Sequence, residues 1–314
     1  MSSAAADITV PGPPEVAEVS AGVFAYVQPD GTWWINNTGF LIGPQGVIGI
    51  DSCSTERRTR ALQRAIAALT PMPVRAVVNT HHHGDHTFGN CLFPGAAIIG
   101  HDQTRAEAIA FGPPRELPAW DGPDWGALSL DPPFITFADG LTVHAGDVRA
   151  EVRHVGSPAH TTNDSIVWIP EHSVLFCGDL IFNGGTPFLL MGSVEGAIEV
   201  LETVIRPLGA ATIVPGHGNV FHDTRPIEDT LDYLRFVLAV ARRSRDAGLA
   251  PLQAARSADL GRFAGWADGE RIVGNLHRAY AELAGAPRGA PIDTVAALTD
   301  MVAYNGGAPL TCRA

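Results

Sequence analysis

No lysine occurs anywhere in the 314 residues; all 21 basic side chains are arginine. That excludes a Schiff-base lysine, a pyridoxal-phosphate anchor and a Walker-type phosphate loop, each of which needs a lysine ammonium. Cysteine is scarce too. Cys53, Cys91, Cys177 and Cys312 are scattered with no CxxC pair, and in a chain of this size they do not read as a disulfide framework. No apolar run approaches the ~20 residues needed to span a bilayer. The first fifteen residues, MSSAAADITVPGPPE, lack the basic start and apolar core of a secretory signal. The expected setting is therefore soluble, reducing and cytoplasmic. Positive charge is also in deficit. With 33 acidic residues the net charge is −12, a field that repels nucleic acid and anionic membrane, so neither is expected as a partner. Charged residues make up 17% and hydrophobic residues 46%, enough to bury a sizeable core and to exclude wholesale disorder.

The pattern along the chain predicts strands and helices in alternation. Residues 1–15 read as a disordered lead rich in Ala and Pro. VAEVSAGVFAYVQ and NNTGFLIGPQGVIGIDS each read as two short strands around a turn. From Thr55 to Leu69 the apolar residues Ala61, Leu62, Ala65, Ile66 and Leu69 have helical spacing, with Ser54 or Thr55 as cap and Pro71 as stop. VRAVVNT is a buried strand, followed by AAIIG and a helix from Asp102. Residues 111–133 are rich in Pro, Gly and Trp and show no period. The strands FITF, LTVHAG, VRAEVRHV, SIVWI and SVLFC follow, then a helix after Ser193 and the strand ATIVP. Ile227, Leu231, Leu234 and Leu238 mark a long amphipathic helix with Pro226 in its first turn and Gly248 past its end. These elements predict an α/β fold of packed sheets covered by helices. The expected organisation is one catalytic domain over 16–248 and a helical extension over 249–314 packed on it.

The chemistry is concentrated in Thr80-His81-His82-His83-Gly84-Asp85-His86, directly after the strand VRAVVNT and so on a loop at a strand end. By composition alone His-x-His-x-Asp-His is expected about once in a thousand such chains. Imidazole and carboxylate are the donors of zinc and of harder transition metals. His81 and His83 can grip one ion, and Asp85 and His86 a second. Further donors stand where other strands end, flanked by small turn-forming residues: His160 in GSPAHTTND, Asp179 in CGD and His217 in PGHG. The bland reading, ordinary loop-capping His and Asp, does not explain all of them in this order.

This set, in this order and these contexts, resembles the metallo-β-lactamase superfamily, and the likeness spans residues 16 to 220. The resemblance implies a metallo-β-lactamase αββα sandwich with a dinuclear site at one edge of its sheets. His81, His83 and His160 would bind one metal, Asp85, His86 and His217 the other, and Asp179 would bridge them. True β-lactamases carry cysteine where this chain has Asp179, which disfavours lactam hydrolysis and favours the thioesterase and lactonase branches. His83 stands where the flavodiiron branch has glutamate. PAHTTND, CGDLIFNGGTPFLLMGS and NLHRAYAEL are similar to actinobacterial metallo-β-lactamase-fold cyclases of aromatic polyketide assembly, and absence of lysine suits a high-GC genome of that kind. That likeness implies a thioesterase or polyketide cyclase of antibiotic or pigment biosynthesis, releasing its product from an acyl carrier protein. A lactonase or other esterase is the alternative, and an iron-bound redox protein or a non-catalytic binder ranks below both.

Two divalent ions would bring four positive charges, which Asp85 and Asp179 halve. Such a field lowers the pKa of bound water from ~15.7 towards ~7 and polarises a thioester or ester carbonyl. It would equally hold a β-dicarbonyl as its enolate, so hydrolysis and aldol cyclisation draw on one site. Asp85 and Asp179 are the expected catalytic carboxylates, Asp85 orienting the nucleophile or shuttling its proton. Zinc is the expected ion, with manganese and iron compatible with the same donors. His82 should point away as a structural residue. His101, His144, His154, His172, His222 and His277 show no partner pattern. For Asp51 a plain turn residue and a carboxylate fixing a ligand imidazole are equally expected. Cys177 reads as a buried small hydrophobe. Trp33, Trp34, Phe188, Leu189 and Met191 are candidate walls of a substrate pocket, a hydrophobic minicore being the other reading of the two tryptophans. Trp120 and Trp125 belong to a lid or to an insertion pinned by its own tryptophans. The run Arg242-Arg243-Ser244-Arg245 reads as a solvated helix face, with an acyl-carrier docking patch as its alternative.

Overall fold

The computed structural model describes residues 12–314. Most of the expected disordered lead, residues 1–11, lies outside the described residues, and by Glu15 the chain is already in a strand.

The first hairpin pairs β1 (Glu15–Ser20) with β2 (Val23–Val27), and the second pairs β3 (Thr38–Gly43) with β4 (Gly46–Ile50). α1 (Glu56–Leu69) then crosses to β5 (Val74–Val78). After α2 (Gly84–Thr87) come β6 (Ala97–His101), α3 (Asp102–Phe111) and β7 (Ile135–Phe137). β1 to β7 form one seven-stranded sheet in sequence order, antiparallel through β4 and parallel from there on. A parallel neighbour needs a crossover. The helical spacing of α1 supplies the first. Thr55 caps it by accepting the Arg58 N–H, and Pro71 follows its end.

The second sheet is built from β8 (Gly140–Ala145), β9 (Val148–His154), β10 (Ser165–Ile169), β11 (Val174–Phe176) and β13 (Thr212–Val214), in the order β13-β11-β10-β9-β8. Between its last strands lie α4 (Val194–Val200) and α5 (Arg206–Leu208), joined by a π-helical stretch, Leu201–Ile205. A two-stranded parallel pair, β12 (Phe182–Asn183) with β14 (His217–Gly218), closes one edge. α6 (Arg225–Asp246), α7 (Pro251–Ser257), α8 (Arg271–Leu283) and α9 (Thr294–Tyr304) complete the chain.

The period of two along the strands sorts the core into layers. In β2, Val23, Ala25 and Val27 face the other sheet, while Phe24 and Tyr26 face Leu62 and Ile66 of α1. In β10, Val167 and Ile169 fill the space between the sheets, and Ile166 and Trp168 pack under the helices. The result is helix, sheet, sheet, helix. The sheets approach so closely that any side chain at Gly39 would collide with the Phe176 ring. α6 lays Ile227, Leu231, Leu234 and Leu238 on the second sheet, and truncating such a leucine to alanine costs about 2–5 kcal/mol. Pro226 sits in its first turn, and Gly248 takes φ 71° just beyond its end.

α8 is tied to the sandwich by buried polar side chains. Arg271 Nη1 donates to Thr186 O at 3.0 Å, Asn275 Nδ2 to Pro187 O at 2.8 Å and Arg278 Nη2 to Leu190 O at 2.7 Å, while Leu189 N donates to Asn275 Oδ1 at 2.9 Å. One helix thus holds the whole 186–190 segment. No helix of the described residues is long and apolar enough to cross a membrane.

Candidate metal centre

The strand ends converge at one edge of the sheets. β5 ends at Val78, and His81, His82 and His83 follow in a bend. The expected loop is corrected for the second half of the motif. Gly84–Thr87 is a helical turn, closed by His86 N donating to His83 O at 3.0 Å, and it carries Asp85 and His86. His160 follows β9, and Asp179 follows β11 just after Gly178 at φ 51°. His217 lies not in a loop but in β14, paired with Phe182. Its ring stacks on Phe182 at 4.9 Å and 11°.

The structure brings these seven side chains into two overlapping sets. The donor atoms of His81, His83, His160 and Asp179 all lie within 4.8 Å of one another, as do those of Asp85, His86, Asp179 and His217. His160 Nε2 is 2.8 Å and His81 Nε2 3.2 Å from His83 Nδ1. His86 Nε2 lies 3.0 Å from Asp179 Oδ1, and His217 Nε2 lies 3.3 Å from both Asp85 Oδ2 and Asp179 Oδ2. Asp179 belongs to both sets. Its place depends on Gly216, where any side chain would collide with Asp179 Oδ1.

The outer nitrogens decide which lone pair faces inward, because a ring nitrogen that donates outward leaves the other free. His86 Nδ1 donates to Asp51 Oδ2 at 2.8 Å, His160 Nδ1 to Phe188 O at 2.5 Å and His217 Nδ1 to Gly31 O at 3.1 Å. His81 Nδ1 donates to Thr80 Oγ1 at 3.1 Å, and that hydroxyl donates to Asp51 Oδ2 at 2.8 Å. His83 is reversed, with Nδ1 inward and Nε2 facing Met191 Sδ at 3.4 Å. Asp51 combines its two expected roles, a turn residue at φ 61° and an acceptor for His86 and Thr80.

Electrostatics point the same way. Burial pushes His81 and His83 well below the usual imidazole range, and neighbouring imidazoles add to this. Burial also opposes charge on His86, yet Asp179, Asp51 and Asp85 outweigh it and hold its pKa well above that range. Burial would raise Asp179, but His217, His86 and His160 keep it well below the usual carboxylate range. Asp85 is lowered by His86 and His217 against the same burial. Without an ion the carboxylates hold a proton on His86 and His217, which an ion at the centre would displace, and two carboxylates kept ionised make the centre favour positive charge. Seven N and O donors exceed the four of one tetrahedral ion, and they fit two ions sharing a carboxylate.

A cavity of about 550 Å³ opens onto this centre. Trp33, Trp34, Phe188 and Met191 line it as expected, with Trp120, Phe182, Arg271, Val295 and Leu298 beside them. Leu189 instead belongs to the main core. The minicore reading of the tryptophans holds as well. Trp33 and Trp34 are 6% and 9% exposed, and Trp120 meets both edge-to-face at 5.2 and 5.5 Å. The two readings are not exclusive, since the same rings wall the cavity and fill a core. Trp125 also packs edge-to-face on Trp34, and Leu310 N donates to Ala119 O, so the 111–133 insertion is pinned from both sides. His82 is buried and its Nδ1 meets Asn163, although its ring borders the cavity. His101 stacks on His154, and His277 pairs with Asp300. Cys177 is buried, and burial pushes its thiol up. Arg242, Arg243 and Arg245 are exposed on α6.

Arg271 and α9 also stand in the cavity wall, where no local pattern in the sequence placed them. Arg271 is 1% exposed, stacks over Trp33 at 4.0 Å and pairs with Asp268 at 2.7 Å. Its only signal was a place in an ordinary helical pattern, far along the chain from the motif.

A sandwich of two sheets between helices, with clustered His and Asp at one sheet edge, defines the class of metallo-β-lactamase-fold proteins. The family model described as "Metallo-beta-lactamase superfamily" matches residues 31–217, and the chain belongs to that superfamily. A hydroxyacylglutathione hydrolase of Rhodospirillum rubrum is 34% identical over 139 residues, 44% of this chain and 45% of that protein. The acyl-coenzyme A thioesterase MBLAC2 of Gallus gallus is 26% identical over 189 residues, 55% of this chain and 67% of that one. The chain spans about half the length of the hydroxyacylglutathione hydrolases it matches. Among solved structures, a metallo-β-lactamase from Pontibacter korlensis superposes with a TM-score of 0.59 at 21% identity, covering 71% of this chain and 99% of that one. At that identity the likeness speaks for the fold alone.

Proposed function

We propose that the chain is a dinuclear metal-dependent thioesterase that acts on an aromatic or poly-β-keto acyl group, with cyclisation and release of a carrier-bound polyketide as its role. The carrying observation is the placement of seven convergent donors, two of them carboxylates, at the base of an aromatic-walled cavity. The names of its relatives, which speak of an acylglutathione and of an acyl-coenzyme A thioester, support thioester substrates. His81, His83 and His160 would hold one ion and Asp85, His86 and His217 the other, with Asp179 available to both. Bound zinc or a similar ion supplies Lewis acidity toward the thioester carbonyl and makes water ionise near neutral pH. Asp85, 3.3 Å from His217 Nε2, orients the attacking group and takes up its proton. Asp51 and the Phe188 carbonyl fix the imidazoles of His86 and His160. Trp33, Trp34 and Phe188 receive the flat acyl group and exclude water from it.

The test compares the zinc-loaded protein on three substrates: an aryl β-keto acyl thioester, a simple alkyl thioester and a lactone of similar size. The expected order of kcat/KM places the aryl β-keto thioester first. Turnover of the lactone with neither thioester cleaved would replace this reading with the lactonase one.

A further inference from the structure

We propose that a second pocket, between α1, β2 and the C-terminal tail, binds a phosphate-type dianion. It encloses about 220 Å³ and is lined by Arg57, Arg58, Arg64, Arg313, Tyr26 and Gln28 among others, and among the described residues no acidic side chain stands in its wall. In a chain of net charge −12, four of 21 arginines gather here. Arg57, Ala61 and Arg64 fall on one face of α1, spaced four and three residues apart, and the small Ala61 leaves room between the two guanidinium groups. Arg57 and Arg64 are exposed and, among the described residues, pair with no carboxylate, whereas Arg60 on the same helix pairs with Glu56. Arg58 supplies an independent sign. It is 8% exposed, and its fork is filled by neutral oxygens alone: Trp34 O at 2.9 Å, Asn36 Oδ1 at 3.0 Å and Asn36 O at 2.8 Å. A buried cation without a counter-charge is costly, and an anion in the adjoining pocket offsets that cost. Arg313 pairs with Asp30 at 2.9 Å and leaves its Nε buried without a partner. Burial, above all, pushes the Tyr26 phenol up to about 12, so it remains an O–H donor. Guanidinium forks match phosphate oxygens in geometry as well as charge, which favours a tetrahedral dianion over a carboxylate. The site is separate from the metal centre, since Arg58 grips the back of the Trp34–Asn36 turn whose front walls the main cavity.

The test titrates the metal-loaded protein with inorganic phosphate by calorimetry and ³¹P NMR, beside Arg57→Gln/Arg64→Gln and Arg57→Lys/Arg64→Lys. Phosphate held at the metals is common to all three and cancels in the comparison. The Gln variant loses the charge-assisted donors of both side chains, so it should bind phosphate at this second site at least about tenfold more weakly. The Lys variant should lie between, and metal content and melting temperature should match wild type in both. Adenosine monophosphate forms a second arm. Tighter binding than phosphate supports the inference with a phosphate ester as the natural source, and weaker binding supports it with the free anion. Identical phosphate titrations for wild type and the Gln variant would overturn it, as would a wild type with no phosphate site beyond the metals.

Discussion

Asp179 carries the most weight of any single residue, because it alone belongs to both donor sets. Its position is enforced from behind by Gly216, where a methyl group would displace the carboxylate oxygen. Gly216→Ala should therefore behave as a metal-site lesion although glycine donates nothing. A change one step removed from a metal typically costs 10–100-fold in affinity or activity, and a loss of about that size is expected for zinc affinity in Gly216→Ala. Gly49→Ala is the matched control, since its added methyl meets nothing closer than Val77 Cγ2 at 3.5 Å. Equal zinc affinity for Gly216→Ala and wild type would show that Asp179 is not held as described. The seven side chains that converge here stood out in the sequence because motif spacing and strand-end context are local. The role of Gly216 did not, because it depends on the approach of two segments that only the fold brings together.

At the scale of elements, the strands and the two long helices were legible from period and punctuation. Thr55, Pro71, Pro226 and Gly248 each stand at or next to the helix end they predicted. The helical turn at Gly84–Thr87 and the short pair of Phe182 with His217 were not legible, being too short to show a period. Nor was the contribution of α8 and α9 to the cavity, which follows from packing across more than a hundred residues. The aromatic cluster joins these levels. Trp33 hydrogen-bonds Glu270, packs under Arg271 and meets Phe188 edge-to-face at 5.0 Å. Trp33→Ala and Trp34→Ala should each lower stability by roughly 3–5 kcal/mol in denaturant unfolding and also raise KM. An unchanged unfolding midpoint would show that these rings serve the cavity alone.

For the molecule as a whole, one electrostatic arrangement dominates the site. The sandwich brings five imidazoles and two carboxylates to a buried edge, their outer atoms satisfied and their inner atoms facing each other. Positive charge at that centre completes the fold as well as the chemistry, so the fully loaded chain should melt above the chelated one. Metal content per chain by mass spectrometry, on protein saturated with zinc and freed of loose ions, tests this most directly. Wild type should hold close to two zinc ions, and Asp179→Asn, which keeps the shape and removes the shared charge, should hold close to one. A wild type that saturates at one ion, or an Asp179→Asn variant that keeps both as tightly, would contradict the shared-carboxylate centre.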